Sequence, residues 1–599
     1  MMQFFKQVFA SLLGTFLALI FFGIFGVSVF TAILVASLAT GEEESPRVRN
    51  KSVLTFDLSA EVEDTVPIDA FAASFAEGEG NALSLRRAIR AIEAAAEDDR
   101  IVALFLDGSR GDGRTGFANL QALRRALEKF RSAEKKIIAY DVNWGEREYY
   151  ISSLADEILL NPRGSIDVNG LGVQQLFLTG ALEKFGIGIQ VVRVGKYKSA
   201  VEPYTQQEFS PENREQLENW IGDAWQEFLQ VVGKGREMTP QQLQSLINQN
   251  GLFLPLEAIA AGFVDELAYY DEVEAKLREL TDQAKIKKGF RQIDLETYAG
   301  ITRKSDRSSD NKIGVLYARG AIVYGEGNQE QIGSDRFVRQ LRELREDEDL
   351  KAIVLRIDSP GGSALASELI LRELQLLQEA KPTIVSMGNV AASGGYLIAM
   401  GSDYIFAESM TTTGSIGVYG ILPNVEKIAA DNGITRDVVK TAPYADAESI
   451  LRPKTEAELV IIQRFVDRIY EVFLDSVTES RKLPRQTVAE IAQGRVWSGL
   501  DAKELGLVDE LGGLDAAIAH AAEKAELGDD WEVEEYREEP TLSEILESFL
   551  SIATAPQKKE ETNFSPFLKE WQHLQEEFKI LQSLNDPKGV YSIFWGSGN

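Results

Sequence analysis

The sequence contains no cysteine and only two histidines among 599 residues. Without thiols there is no disulfide, no thiolate metal site and no cysteine nucleophile. The compartment stays open, because an oxidising space tolerates a cysteine-free protein. His520, in "AAIAHAAEKAE", and His573, in the tail, lie on helical patterns far in sequence from the glycine-rich turns. They read as structural or exposed histidines, which disfavours a Ser-His-Asp triad. Carboxylates alone are left for a metal, and no ordered cluster of them stands out. Basic excess is also missing: 63 Lys and Arg face 93 Asp and Glu, a formal charge of −30. That balance argues against nucleic acid, whose phosphates would be repelled.

One long stretch carries no charge at all. Between Lys6 and Glu42 the chain reads "FASLLGTFLALIFFGIFGVSVFTAILVASLA". About 20 apolar residues span a bilayer, whereas a signal-peptide core is about 7–15 residues long. Residues 7–41 are therefore expected to form a transmembrane helix in contact with the lipid bilayer, after a flank at 1–6 and before a linker at 42–52. "SLA" at 37–39 also offers small residues at cleavage-like spacing. Lys6 on one side and Arg47, Arg49 and Lys51 on the other leave the orientation uncoded by charge.

Beyond the linker the chain repeats itself at an offset of about 245–250 residues. "DDRIVALFLDGSRGD" (98–112) resembles "DEDLKAIVLRIDSPGGS" (347–363), and "AIAAGFVDEL" (258–267) resembles "AKELGLVDEL" (502–511). Helical patterns such as "LRRAIRAIEAAAED" (85–98) and "FVRQLRELREDED" (337–349) alternate with apolar runs such as "IVALFL" and "AIVLRI". Such alternation predicts α/β layers around a largely parallel sheet. Two tandem domains follow, 53–300 and 313–535, with a polar linker at 301–312 and a tail at 536–599. In the tail, Phe567, Trp571, Leu574, Phe578 and Leu581 recur at the spacing of an amphipathic helix.

Three glycine-bearing turns cluster in the second copy. "DSPGGS" (358–363) follows "AIVLRI", "NVAASGGY" (389–396) follows "TIVSMG", and "TTTGSIGVYG" (411–420) follows "DYIFAE". Turns after successive parallel strands meet at the carboxyl edge of the sheet, where α/β proteins place their sites. Ser393 in "AASGGY" is the candidate nucleophile, and Gly362 and Gly394 are the natural oxyanion donors. The same turns would also serve merely to close a parallel sheet. A serine nucleophile needs a base, and with no suitable histidine the alternative is a buried lysine, whose pKa falls on desolvation. "IGIQVVRVGKYKSAVEP" (187–203) offers Lys196 and Lys198, which strand alternation would put on one face.

Together, "YKSAVEP", "AASGGY", "DSPGGS" and "TTTGSIGV" on a duplicated chain resemble the signal peptide peptidase A family in its long, two-domain bacterial form. The resemblance covers roughly residues 50–535. It implies two ClpP/crotonase-like domains behind a transmembrane helix, and a serine/lysine dyad that degrades cleaved signal peptides or other apolar peptides without metal or cofactor. It implies Ser393 as nucleophile, Lys198 rather than Lys196 as general base, Gly362 and Gly394 as oxyanion donors, and Ser415 as the serine that orients the lysine. It further implies a homo-oligomer, a tetramer, held in the bacterial inner membrane by a single span with its body on the periplasmic side. Aligning the two copies sets Lys198 opposite Ala445 and Arg147 opposite Ser393, so neither copy holds a complete dyad. The site must form across a domain or subunit interface. The rival readings are a crotonase-like acyl-CoA enzyme and a non-catalytic membrane scaffold.

Overall fold

The computed structural model describes residues 47–65, 82–111, 113–285, 288–302, 309–536, 585–586 and 589–594. The expected membrane span at 7–41 and the expected tail helix around Trp571 lie outside the described residues. Among the described residues no helix is long and apolar enough to cross a membrane.

In the first half, the run Ile101–Asp107 is buried along nearly its whole length, as suits a strand covered on both faces of a parallel sheet. It lies in a six-stranded sheet ordered Glu266–Leu267, Glu157–Asp167, Lys136–Gly145, Ile101–Asp107, Ser52–Asp57, Gln292–Asp294. The helix Leu85–Glu97 turns Leu85, Ala88, Ile89, Ala91, Ile92 and Ala95 inward at the helical period.

The second half repeats this plan. Lys312–Arg319 pairs in parallel with Leu350–Ser359, which pairs in parallel with Thr383–Ala392. Glu532–Tyr536 flanks Lys312–Arg319 as Gln292–Asp294 flanks Ser52–Asp57, so each half closes its sheet with its own last strand. The expected helix near 337–349 runs over Ser334–Glu346. One boundary differs from expectation. The helix Leu295–Thr302 carries the first half two residues into the polar stretch expected as linker, because Tyr298 and Ala299 bury against the sheet.

A third sheet mixes the two halves. The strand Gly188–Val194 leaves the first half and pairs antiparallel with Val418–Asn424 of the second, from Val194↔Val418 to Gly188↔Asn424. Between Val418–Asn424 and Gly361–Ser363 lies Val590–Ile593, antiparallel to both. Polar contacts also tie the halves together. Arg356 and Asp64, each only 2% exposed, pair at 2.9 Å. The same guanidinium donates to Ser386 Oγ, the Met387 carbonyl and Asn119 Oδ1. From the helix Pro211–Gly235, Trp220 donates to Thr412 and Asp223 accepts from Ser498.

Candidate active site

The buried strand Thr383–Ala392 stops at Ser393, and the helix Gly394–Ala399 starts directly after it. To make that reversal Ser393 adopts φ 55° and ψ −115°. A non-glycine residue pays about 1–3 kcal/mol for such backbone, and strain of this kind clusters at functional turns. Two backbone bonds hold it there: Ser393 N–H donates to the Gly414 carbonyl and Leu397 N–H to the Ser393 carbonyl, both at 2.8 Å. The side chain is fully buried.

Lys198 reaches this serine from the other half. The strand Gly188–Val194 ends in a turn in which Lys198 N–H donates to the Gly195 carbonyl. Tyr197 N–H donates to the Gln493 carbonyl, and Gln216 Nε2 donates to the Tyr197 carbonyl, clamping the turn against the second half. Gly494, at φ +76°, allows the approach: a Cβ there would stand 2.7 Å from the Lys198 Cβ. The amine lies 2.7 Å from Ser393 Oγ, 2.9 Å from Ser415 Oγ and 3.0 Å from the Ser415 carbonyl oxygen. Lys198 is 1% exposed, and all three partners are neutral oxygens. Burial alone holds its pKa well below the ordinary lysine value. As a neutral amine it can donate to both Ser415 oxygens and accept from the Ser393 hydroxyl.

Of the expected site residues, Ser393, Lys198 and Ser415 therefore meet within one chain. Gly361 and Gly362 lie on the short strand Gly361–Ser363, and a Cβ on Gly361 would stand 2.6 Å from the Gly394 amide nitrogen, so the two glycine turns adjoin. The alternation expected for Lys196 and Lys198 does not hold. The strand has ended by Val194, and the turn leaves Lys196 exposed with its ammonium over the Tyr197 ring. His520 stacks on Tyr404 at 4.2 Å between centroids, part of a packed face of the sheet. His573 lies outside the described residues.

Two features were not anticipated. Gln216, on the helix Pro211–Gly235, donates to the Tyr197 carbonyl and accepts from the Val496 N–H. Ser592, in the tail, puts its hydroxyl 2.6 Å from Ser393 Oγ. The alternating run "VYSI" was the signal for a strand there, but nothing local names its partner. A cavity of about 730 Å³ between the halves is lined by Arg124, Arg125, Glu227 and Glu408 and includes none of the residues around Ser393.

Comparison with known proteins fits this arrangement. The model of peptidase family S49 matches residues 129–284 and 375–528, and the Clp protease model matches 304–427. The chain is 35% identical over 521 residues to Protease 4 of Salmonella typhi, covering 85% of this chain and 83% of that one. It is 33% identical to Protease 4 of Haemophilus influenzae, covering 94% of each. A putative signal peptide peptidase SppA of Enterococcus faecium is 34% identical over 276 residues, covering 45% of this chain and 78% of its own length. The protein is a serine-type peptidase with a duplicated α/β fold. It belongs to peptidase family S49.

Proposed function

We propose that Ser393 and Lys198 form the catalytic dyad of an endopeptidase acting on apolar peptides, cleaved signal peptides among them. The observation that carries this reading is the 2.7 Å contact between Ser393 Oγ and a fully buried lysine amine with only neutral partners. Neutral Lys198 accepts the Ser393 proton as Oγ attacks the substrate carbonyl. The amides of Gly362 and Gly394 stabilise the oxyanion that develops. The lysinium protonates the leaving amine, and water then hydrolyses the acyl-enzyme by the same route in reverse. Ser415, with its hydroxyl and carbonyl both on the amine, fixes where the lysine points.

The substrate class draws support from the relative named as a putative signal peptide peptidase, and from the uncharged run at 7–41, which would hold the peptidase where such peptides collect. Exposed Ile434, Val439, Ile450, Val460 and Ile461 give the second half an apolar surface suited to a homo-oligomer. A fluorophosphonate serine probe tests the dyad. It should label Ser393 in the native chain and fail on Ser393→Ala, with peptide hydrolysis lost in step. Full hydrolysis by Ser393→Ala would end this reading. Fractionation with the membrane pellet, abolished by deleting residues 7–41, tests the anchor.

A further inference from the structure

The two glycine turns around Ser393 stand on strands that fall out of step just before they meet. Leu350–Ser359 pairs with Thr383–Ala392 from Ile353↔Thr383 to Ile357↔Met387, and resumes at Ser359↔Ala391. Residues 388–390 therefore face a single residue, Asp358. A bulge of this kind leaves ladder groups without their partners and re-aims the residues that follow. The Asp358 carboxyl fills the gap. Its Oδ1 accepts from the Val390 N–H at 2.9 Å. Gly388 makes the room, because a Cβ there would stand 3.0 Å from both Cβ and Cγ of Asp358. The "DSPGGS" turn is fixed from its other side. The Asp358 carbonyl accepts from Gly320 N–H at 2.9 Å, and Ser359 Oγ donates to the Gly320 carbonyl at 2.6 Å and accepts from Gly361 N–H at 3.2 Å. Asp358 then ties "NVAASGGY" to that fixed turn. The first half does otherwise. Its ladder runs unbroken from Ala103↔Lys136 to Asp107↔Tyr140, and Asp107, which aligns with Asp358, turns its Oδ1 to Ser109 of its own turn.

The Asp358 carboxyl also belongs to a charge cluster that crosses the halves. The short strand Glu61–Glu63 of the first half brings Glu63 to Arg319, and the next residue, Asp64, to Arg356. Three carboxyls, Glu63, Asp64 and Asp358, thus face two guanidiniums, with Glu61 close by. Asp64 Oδ1 is buried there without a hydrogen-bond partner among the described residues. One proton removes the surplus negative charge. Burial and then the Asp64 charge push Asp358 up to about 6, against the pull of the Val390 N–H, Arg356 and Arg319. Burial pushes Glu63 up to about 7, opposed by Arg319 and reinforced by Glu61, Asp358 and Asp64.

We infer that the Asp358 carboxylate is the strut that holds the two glycine turns in register for the reaction at Ser393, and that Glu63, reaching across from the first half, governs how readily the strut forms. The inference rests on the dyad reading above. Asp358 touches no reacting atom and is a positioning residue. As an anion it accepts the Val390 N–H in a charge-assisted bond, roughly twice as strong as a neutral one. That bond sets the end of Thr383–Ala392, and so the Gly394 amide, against Gly362. When Asp358 takes up the cluster's proton the bond weakens and the oxyanion donors lose their alignment. Turnover falls as that proton binds, in addition to any loss from protonating Lys198.

Peptide turnover of the full chain between about pH 5 and pH 8, with kcat and KM read separately, tests this against Asp358→Asn. The amide oxygen of that variant keeps the Val390 bond but never carries charge. Lys198 titrates in both chains and cancels in their ratio. The native-to-variant ratio of kcat should be close to unity at the acid end and rise to about tenfold or more at the alkaline end, with KM unchanged. Glu63→Gln removes a facing charge. It should move the acid limb of kcat down by about 0.5–1 pH unit, leave the alkaline end unaltered, and do nothing further in the Asp358→Asn background. A ratio that stays constant with pH overturns the inference, since a residue that merely supports the fold behaves that way. An acid limb that Glu63→Gln leaves in place or moves up also overturns it, and decides alone if Asp358→Asn folds poorly. Ser393→Ala, assayed in parallel, separates the two readings. Hydrolysis that survives there ends the dyad reading and this inference with it, whereas Ser393-dependent hydrolysis with a flat ratio ends this inference alone.

Discussion

The two halves make the same strand-to-helix turn and use it differently. In the first, Lys136–Gly145 passes into Glu146–Ser152 through Gly145 at φ −91°, an unstrained conformation. Arg147, which the repeat alignment sets opposite Ser393, lies two residues past that turn and lays its guanidinium over the Phe117 ring, and Glu148 accepts from the Gly113 amide. In the second, the equivalent turn holds Ser393 at φ 55°. The lysine shows the mirror image. In the first half, Tyr197 and Lys198 are buried in a turn clamped by Gln216 and Gln493. Their counterparts Tyr444 and Ala445 lie in an exposed stretch. Duplication has kept the scaffold twice and each member of the proposed dyad once, and the strand Gly188–Val194 carries one of them across to the other.

The largest test of that division removes either group. Ser393→Ala or Lys198→Met should lower peptide turnover by roughly 10⁴-fold or more. Lys196→Ala, on the exposed side of the same turn, should stay within roughly twofold, as surface changes do. Next comes the junction between halves. Asp64→Ala strands the buried Arg356 guanidinium and should cost about 3–5 kcal/mol, read as a fall in thermal midpoint together with turnover. Ser415→Ala leaves the lysine amine short of a partner and should slow turnover by about 1–3 kcal/mol with substrate binding unchanged.

The pH profile follows from the lysine. Burial lowers its folded pKa, so kcat/KM should rise with pH through that pKa as the amine becomes neutral. Between that value and the unfolded lysine value of about 10.4, the unfolded chain binds the extra proton. This group's penalty on stability is therefore greatest at low pH and fades as pH rises, and Lys198→Met should flatten that slope in denaturant titrations. The smallest effect is expected at the first half's turn. Arg147→Ser should gain no probe labelling, because position 147 faces the Phe117 ring while the Lys198 amine is held at Ser393.

The strands and helices of both halves were legible because each follows from local period and burial. The turns around Ser393 were legible because glycines after consecutive parallel strands have one place to gather. The choice between Lys196 and Lys198 was not legible from alternation, since the strand ends at Val194 and the following turn buries one and exposes the other. The pairing of Gly188–Val194 with the second half, and of Val590–Ile593 with Gly361–Ser363, links residues far apart in sequence. Such partners leave no mark in the flanking residues. Ser592 was missed for the same reason.

The crossing strand has a consequence for how such an enzyme comes into being. Ribosomes deliver the lysine early and the serine nearly two hundred residues later, with the amine waiting on a segment whose sheet does not yet exist. If the proposed dyad is the catalytic pair, a peptidase laid out this way stays harmless throughout its own synthesis. Chemistry switches on only when the later half has folded around the earlier one, so hydrolytic power and completed architecture are acquired in a single event.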